Sequence, residues 1–324
     1  MGQVIKDTKE AVLRVTRPLV SNDDAPGKVR HSTARRVIVS SNCQTAGIAA
    51  ALQVIFPRDE FIPIPLPSFA SCADEEAFVR KLRQCNLWIS IGSYDLPRKH
   101  GLDDRAWLIR IPRIRFSAFH PDLVYARRNS TKELVTPHYN SAIAIWAYRR
   151  RISVADAKRL FNIESFAALG YLNSWEPSVA SLKVIFQDTD IDFSEFFLGI
   201  RREGLFMYSR NHPKILTLTW LAKLIARRMG ADSDVVERSI DVNDGLNDII
   251  WPIYPGVGDE FGLPSRYDWK VGPGQWISGL DAFLEDAFSS YARQGIGPDD
   301  IAAVQIDESL FDRVLGEQLG LNHG

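Results

Sequence analysis

The stretch "RRVIVSSNCQTAGIAAALQVIF", residues 35–56, decides the fold. Its "VIVSS" portion is a short β-branched run, which predicts a buried strand, and "TAGIAAALQVIF" carries alanines and larger apolar residues at helical spacing, which predicts a helix packed on a sheet. Asn42 and Cys43 therefore fall at the carboxyl end of a strand and the start of a helix. In an open α/β sheet that junction is where ligands sit, and the free N–H groups of the helix start favour negative charge. A thiol placed there is expected to have its thiolate stabilised. A small buried cysteine that merely fits a tight turn accounts for the residue equally well.

Outward from this unit the pattern alternates as far as about Leu123. "FIPIPL", "NLWISIG" and "WLIRIPRIRF" read as strands and "DEEAFVRKLRQ" as a helix between the first two. Strands alternating with helices imply parallel pairing through right-handed crossovers. Pro63, Pro65 and Pro112 belong at edges or strand ends, since proline cannot donate to a ladder. After about residue 137 helical signals dominate, in "YNSAIAIWAYRRR" with Asn140 or Ser141 as cap, "SVADAKRLFN" with Ser153 as cap, "EPSVASLKVIFQD", "FSEFFLGIRRE", "HPKILTLTWLAKLIARRMG" and "GLDAFLEDAFSSYARQG". The stretch 247–274 is rich in Pro and Gly and reads as an ordered loop, with "VGDEFGLP" as a candidate lid. The fold class is thus α/β, a small parallel sheet with flanking helices followed by a large mainly helical part. Three parts are expected: a flexible polar extension over 1–34, an α/β part over 35–136 and a helical part over 137–324.

The chain of 324 residues has a formal net charge of -1, with 45% hydrophobic and 24% charged residues. That balance suits a globular domain and excludes a broad nucleic-acid-binding surface, so any phosphate site must be local. Cys43, Cys72 and Cys85 form no CxxC pair and their odd number leaves a free thiol, which points to a reducing compartment. The opening residues lack the apolar core of a secretory signal, and no apolar run is long enough to span a membrane. A cytoplasmic protein is expected. No GxGxxG or Walker loop follows the first strand, and Cys and His do not recur at zinc-ligand spacing, so no metal is expected.

Three constellations could carry chemistry. In "SSNCQ", Cys43 is a candidate nucleophile, flanked by the amides of Asn42 and Gln44 as donors to a developing oxyanion. In "RFSAFHPDL", residues 115–123, strand-end placement puts His120 and Asp122 on the rim that holds Cys43, His120 as general base and Asp122 as its orienting carboxylate. Arg113 and Arg115 alternate along the preceding strand and could reach a diphosphate there. In "MYSRNHPKIL", Asn211 is a credible helix N-cap before Pro213, and His212 with Arg210 and Lys214 beside it is suited to meet a phosphate or carboxylate. His138 and Tyr139 are secondary candidates, while His31, His100 and His323 lie in polar or terminal segments. The runs Arg127–Arg128 and Arg149–Arg151 read as solvated or helix-terminal charge.

Taken in order, "VIVSSNCQTAGIAAAL", "IPRIRFSAFHPDLVY", "YNSAIAIWAYRRRISVADAKRLF" and "MYSRNHP" resemble the WcbI-like family of capsular polysaccharide-biosynthesis acetyltransferases. The resemblance runs over roughly two thirds of the chain and implies a coenzyme A or acetyl-CoA site, with acetyl transfer to a sugar hydroxyl of a glycan or nucleotide sugar. The family's "GNCQ" falls on Ser41, Asn42, Cys43 and Gln44, its "FSGYHPD" on Phe116 to Asp122, bringing in Ser117, and its "NHP" on Asn211 to Pro213. Ser41 and Ala118 stand where the family has glycine, Phe119 where it has tyrosine and Asn140 where it commonly has histidine. The resemblance implies either direct transfer with His120 or His212 as base, or a two-step route through a Cys43 thioester. Two other readings use the same residues: an esterase-like hydrolase of the doubly wound kind, and a non-catalytic coenzyme A or nucleotide-sugar binding component of a polysaccharide assembly.

Overall fold

The computed structural model describes residues 34–66, 71–102 and 107–321. All but the last residue of the polar extension, and with it His31, lies outside the described residues, as does His323.

Strands β1 (Arg36–Ser40), β2 (Glu60–Pro63), β3 (Leu87–Ser90) and β4 (Trp107–Arg110) form a sheet in the order β2-β1-β3-β4, with every pairing parallel. Helix α1 (Thr45–Ile55) joins β1 to β2, α2 (Cys72–Leu82) joins β2 to β3, and the short α3 (Leu96–Lys99) precedes β4. The two-residue period of a strand sends Val37 and Val39 to the face covered by Ile48 and Leu52 of α1, and Ile38 and Trp88 to the face covered by Phe78 and Leu82 of α2. Both faces are thus buried, as an all-parallel sheet requires. The buried Trp88 indole donates to Ser40 Oγ at 3.0 Å, so the tryptophan leaves no orphaned donor. Cys85 is sealed into the α2 side, where burial pushes its thiol up to about 11.

From β1 the chain goes first to β2 on one side and then to β3 on the other. The strand order therefore reverses at β1, and a crevice opens beyond the carboxyl ends of β1 and β3. Pro63 ends the edge strand, as the missing donor of proline demands. The run read as one long strand over "WLIRIPRIRF" is a strand only to Arg110. Asp190 stops it there, accepting from the Arg110 backbone N–H at 2.7 Å and pairing with its guanidinium at 2.8 Å. Residues 111–119 then form no strand and pass across the crevice.

The remainder is mainly helical: α4 (Ala142–Arg149), α5 (Val154–Arg159), α6 (Ile163–Ala168), α7 (Trp175–Phe186), α8 (Phe193–Arg201), α9 (Ile215–Arg228), α10 (Ser233–Glu237), α11 (Val257–Phe261), α12 (Leu280–Arg293) and α13 (Glu308–Gln318). Ser141, not Asn140, caps α4, accepting from Ala144 N at 3.0 Å, and Ser153 caps α5 as its sequence predicts. Short strands β5 (Leu123–Val124), β6 (Ala126–Arg128), β7 (Asn140–Ser141), β8 (Asp268–Gly272), β9 (Gln275–Ser278) and β10 (Ile301–Ala303) stitch the helices together. The stretch 247–274 is less irregular than its composition suggests. It holds α11, bracketed by Gly256 and Gly262 at φ 86° and 62°, and β8, so its glycines mark element ends. Arg149, Arg150 and Arg151 pair with Glu308, Asp312 and Asp299, tying the end of α4 to the C-terminal segment.

Helix α9 lies against α1. At Gly47 a Cβ would stand 2.6 Å from Leu218 Cδ1, so the absence of a side chain allows the helices to approach. This packing brings the loop before α9 over the β1–α1 turn. One buried cluster runs from Val37 to Leu315, so sheet and helical part share a core.

Candidate functional site

The β1–α1 turn is fixed by its own short polar side chains. Ser41 N donates to Thr45 Oγ1 at 3.0 Å, Thr45 Oγ1 donates to the Asn42 carbonyl at 2.6 Å, and Gln44 N donates to Asn42 Oδ1 at 3.1 Å. Ser41 Oγ is also 3.3 Å from Asn42 Oδ1. The oxygen of the Asn42 amide is used inward, and among the described residues its Nδ2 has no partner, which leaves those donors for a ligand.

Gln44 is fully buried and clamps three segments. Its Nε2 donates to the carbonyls of Ile114 at 2.7 Å and Asn211 at 3.2 Å, while its Oε1 accepts from Ile114 N at 3.2 Å. Both ends of the amide are thus committed to backbone. Gln44 holds the site together and has no donor left for an oxyanion, which differs from the expectation based on its place beside Cys43.

Cys43 is exposed at the turn, with Sγ 4.0 Å from the Asn211 carbonyl. Neighbouring groups crowd it enough that desolvation raises the thiol pKa, outweighing the opposing pull of its own backbone N–H. The expected stabilisation of the thiolate is therefore reversed at rest. The thiol remains open to a ligand but is not activated by a hydrogen-bonded base.

Beside Asn42 lies a cavity of about 260 Å³ lined by Arg113, Arg115, Arg210, Asn211 and Tyr125 and closed by Val304 and Gln305. Arg113 and Arg115 flank buried Ile114 on the crossing segment and project outward. Arg210 is half-buried; Phe116 N donates to its carbonyl at 2.9 Å, and among the described residues its Nη2 reaches only Gln305 Oε1, at 3.5 Å. None of these arginines pairs with a carboxylate among the described residues, whereas Arg35, Arg110 and Arg128 all do. Burial, and then the like charge of Arg115, lowers the Arg210 pKa, and its Nε is buried with no partner. Unpaired guanidinium groups gathered in one cavity make an anion site, and their forked donors suit phosphate.

The loop before α9 supplies the rest. Met207 and Pro213 form an antiparallel bridge, so this segment is a tight loop and α9 is capped by Lys214. Asn211 therefore does not cap the helix, as its spacing from Pro213 suggests it should. Instead the Tyr139 hydroxyl donates to Asn211 Oδ1, and among the described residues the Asn211 Nδ2 has no partner, as at Asn42. His212 lies edge-on to Tyr139 with ring centroids 5.6 Å apart. Its Nδ1 is buried without a partner and burial lowers its pKa, so the ring is neutral near pH 7.

The other expected site residues lie elsewhere. His120 is 2% exposed, with Nδ1 3.3 Å from the Pro252 carbonyl and Nε2 making no hydrogen bond. Burial pushes it down to about 4, opposed by the backbone carbonyls of Pro252 and Met207. Asp122 accepts from the hydroxyls of Tyr171 and Tyr254 and from Ile143 N, each at 3.0 Å, and burial raises it to about 6. The two side chains share no hydrogen bond and neither lines the arginine cavity, so the orienting pair is not formed. Lys214 Nζ sits 5.6 Å over the Tyr208 ring, outside that cavity. Ser117 Oγ is 3.2 Å from Ser178 Oγ in the adjoining cleft. Tyr125, Val304 and Gln305 carried no signal in the sequence; Gln305 stands at φ 69°, reached only through the pairing of β10 with β6.

The sequence profile described as polysaccharide biosynthesis enzyme WcbI matches residues 36–234. The chain belongs to the WcbI family. The matched span holds the Cys43 turn, the arginine segment and the Asn211–His212 loop, while Gln305 lies beyond it. A solved WcbI structure, described as a novel polysaccharide biosynthesis enzyme in its native form without a disulfide bond between coenzyme A and a cysteine, is similar to this chain at TM-score 0.67 and 16% identity. The likeness covers 89% of this chain and 97% of that one, and it shows a shared WcbI fold. No curated protein matches the chain. Among the described residues no helix is long and apolar enough to cross a membrane, and no cluster of His, Cys, Asp and Glu could hold a metal ion.

Proposed function

We propose that this WcbI-family chain is a coenzyme A-dependent acyltransferase that moves an acyl group, acetyl in the simplest case, to a sugar hydroxyl in surface polysaccharide biosynthesis. The observation that carries the reading is the cavity formed by Arg113, Arg115 and Arg210, without a carboxylate, beside an exposed thiol at the switch point of the sheet. Coenzyme A carries several phosphate charges, and the unpartnered Arg210 Nε and unpaired guanidinium groups fit them. The solved relative, whose description names coenzyme A and a cysteine, supports the same ligand class. Use of such a donor would place the protein in the cytoplasm.

Acyl-coenzyme A supplies an activated thioester carbonyl when bound. Around that carbonyl the free amide donors of Asn42 and Asn211 would stabilise negative charge building on oxygen. His212, kept neutral by burial, would take the proton of the acceptor hydroxyl as the ester C–O bond forms and the thioester C–S bond breaks, and would pass it to the departing sulfur. A thiol with a raised pKa and no hydrogen-bonded base favours direct transfer over a Cys43 thioester. The same facts count against the hydrolase reading, which needs a nucleophile, His and carboxylate in one hydrogen-bonded line.

Calorimetric titration with coenzyme A tests the site. Loss of a charged hydrogen bond is worth about 1.5–3 kcal/mol, so Arg113→Ala and Arg115→Ala should each weaken binding about 10- to 100-fold. In a Cys72→Ala background, which removes the other exposed thiol, Cys43→Ala should abolish mixed-disulfide formation with coenzyme A disulfide. A wild-type protein that binds neither coenzyme A nor acetyl-CoA would overturn the proposal.

A further inference from the structure

The crossing segment 111–119 does not end at the arginine cavity. Its Arg113 and Arg115 line that cavity, Ser117 lines a second cleft of about 370 Å³, and Phe119 lines a third of about 620 Å³. Neighbouring cavities share lining residues: Arg210 and Gln305 border both the first and the second, and Asn173 borders both the second and the third. Ser174 Oγ donates to the Ala118 carbonyl at 3.0 Å, fastening the start of α7 to this segment.

The third cleft lies between the start of α7, the end of α8 and α11. Its wall is half-buried Trp175, held in place by Phe116, Phe119 and Phe261 at ring-centroid distances of 5.2, 5.9 and 5.5 Å. Around it stand Glu176, Arg201 and Glu260, all exposed and all without an ion-pair partner among the described residues. An aromatic wall flanked by unpaired carboxylate, guanidinium and amide groups is suited to a pyranose, whose C–H face packs on the ring while its hydroxyls bond to the polar rim. The volume falls within the roughly 300–1,000 Å³ of ordinary ligand sites. Charge separates the two ends of the groove. The first cavity offers arginines and no acid, and so takes phosphates; the third sets two carboxylates against one guanidinium, which disfavours a polyanion and suits a neutral hydroxylated chain.

We infer that the Trp175 cleft seats the glycan acceptor, with the serine-lined cleft leading the reacting sugar toward Cys43 and His212. This deepens the transferase reading and rests on it for the direction of the groove; recognition of glycan by the cleft is measured on its own. The probe is a set of fluorescently end-labelled oligosaccharides released by mild acid from the surface polysaccharide of the cell that makes the protein. Polarisation titrations would be run on wild type, Arg201→Ala, Glu260→Gln and Trp175→Leu, with coenzyme A calorimetry in parallel. Arg201 and Glu260 are exposed, so their variants keep the test sound if Trp175→Leu fails to fold. The expected result is glycan binding weakened about tenfold or more in each folded variant, with coenzyme A affinity unchanged within about twofold. Glycan binding without coenzyme A binding in the wild type would sustain the cleft assignment while sinking the donor reading. The inference is overturned if the wild type binds no oligosaccharide, if Arg201→Ala and Glu260→Gln bind it as well as wild type, or if those variants lose coenzyme A affinity instead.

Discussion

His120 and Asp122 are two residues apart, both fully enclosed, and burial displaces their pKa values in opposite directions. Asp122 stands at about 6 against an ordinary 3.8, so the folded state holds this proton more tightly than the unfolded chain, and acidification from 6 toward 3.8 adds stability. His120 stands at about 4 against an ordinary 6.5, so the unfolded chain takes this proton first, and acidification from 6.5 toward 4 removes stability. At about 1.4 kcal/mol per pH unit of displacement, each group contributes roughly 3 kcal/mol over its full window, of which roughly 2 falls between about pH 7 and about pH 4.5. The two contributions nearly cancel in the wild type. Urea unfolding of wild type, Asp122→Asn and His120→Gln at those two pH values separates them, because the pH difference within each protein removes the pH-independent cost of the substitution. Relative to wild type, Asp122→Asn should lose about 2 kcal/mol more on acidification and His120→Gln about 2 kcal/mol less, a spread of about 4 kcal/mol. Parallel pH dependence in the three proteins would refute burial of neutral His120 and a proton-retaining Asp122.

Gln44→Ala leaves the buried N–H and C=O of Ile114 without their partner, along with a share of the Asn211 carbonyl. Stability should fall by about 2–4 kcal/mol in urea unfolding, with weaker coenzyme A binding because the Cys43 turn and the Asn211 loop are no longer joined; an unchanged midpoint would contradict the clamp. At Gly199 on α8 a Cβ would stand 2.1 Å from the Trp220 indole of α9. Gly199→Ala should therefore destabilise by about 1–3 kcal/mol despite alanine's better helix propensity, read as a lowered thermal midpoint.

What was legible in the sequence was what short-range periodicity encodes. The β-branched run before Asn42 and the alanine-rich run after Cys43 differ in period, so the strand, the turn and the helix could be placed without knowing what packs on them. The alternation of Arg113, Ile114 and Arg115 likewise put one buried residue between two outward charges, and the structure keeps that alternation even though the strand ends before it. His120 shows where local reasoning stops. A strand end is a rim position only if the segment beyond it stays at the surface, and residues 116–123 instead turn inward among Phe116, Ala118, Phe119 and Leu123, all buried. Sequence alone shows a His and an Asp two apart after a strand; only packing shows that Tyr171 and Tyr254 occupy the carboxylate.

Proline was informative in one place and misleading in another for the same reason. Lacking an N–H, it marks any position where a donor is not needed. At Pro63 that position is an edge-strand end, but at Pro213 it is a bridge to Met207 and not the first turn of α9. The displaced helix start has a chemical consequence. Because Lys214 takes the cap, Asn211 and His212 stay in a loop that α9, packed closely on α1 at Gly47, presses over the Cys43 turn, with the Asn211 carbonyl shared by Gln44 and the thiol. The unpaired groups of the site, the Asn42 and Asn211 amides, His212 Nδ1 and the arginines, therefore owe their arrangement to contacts among segments more than sixty residues apart, each of which looks ordinary when read alone.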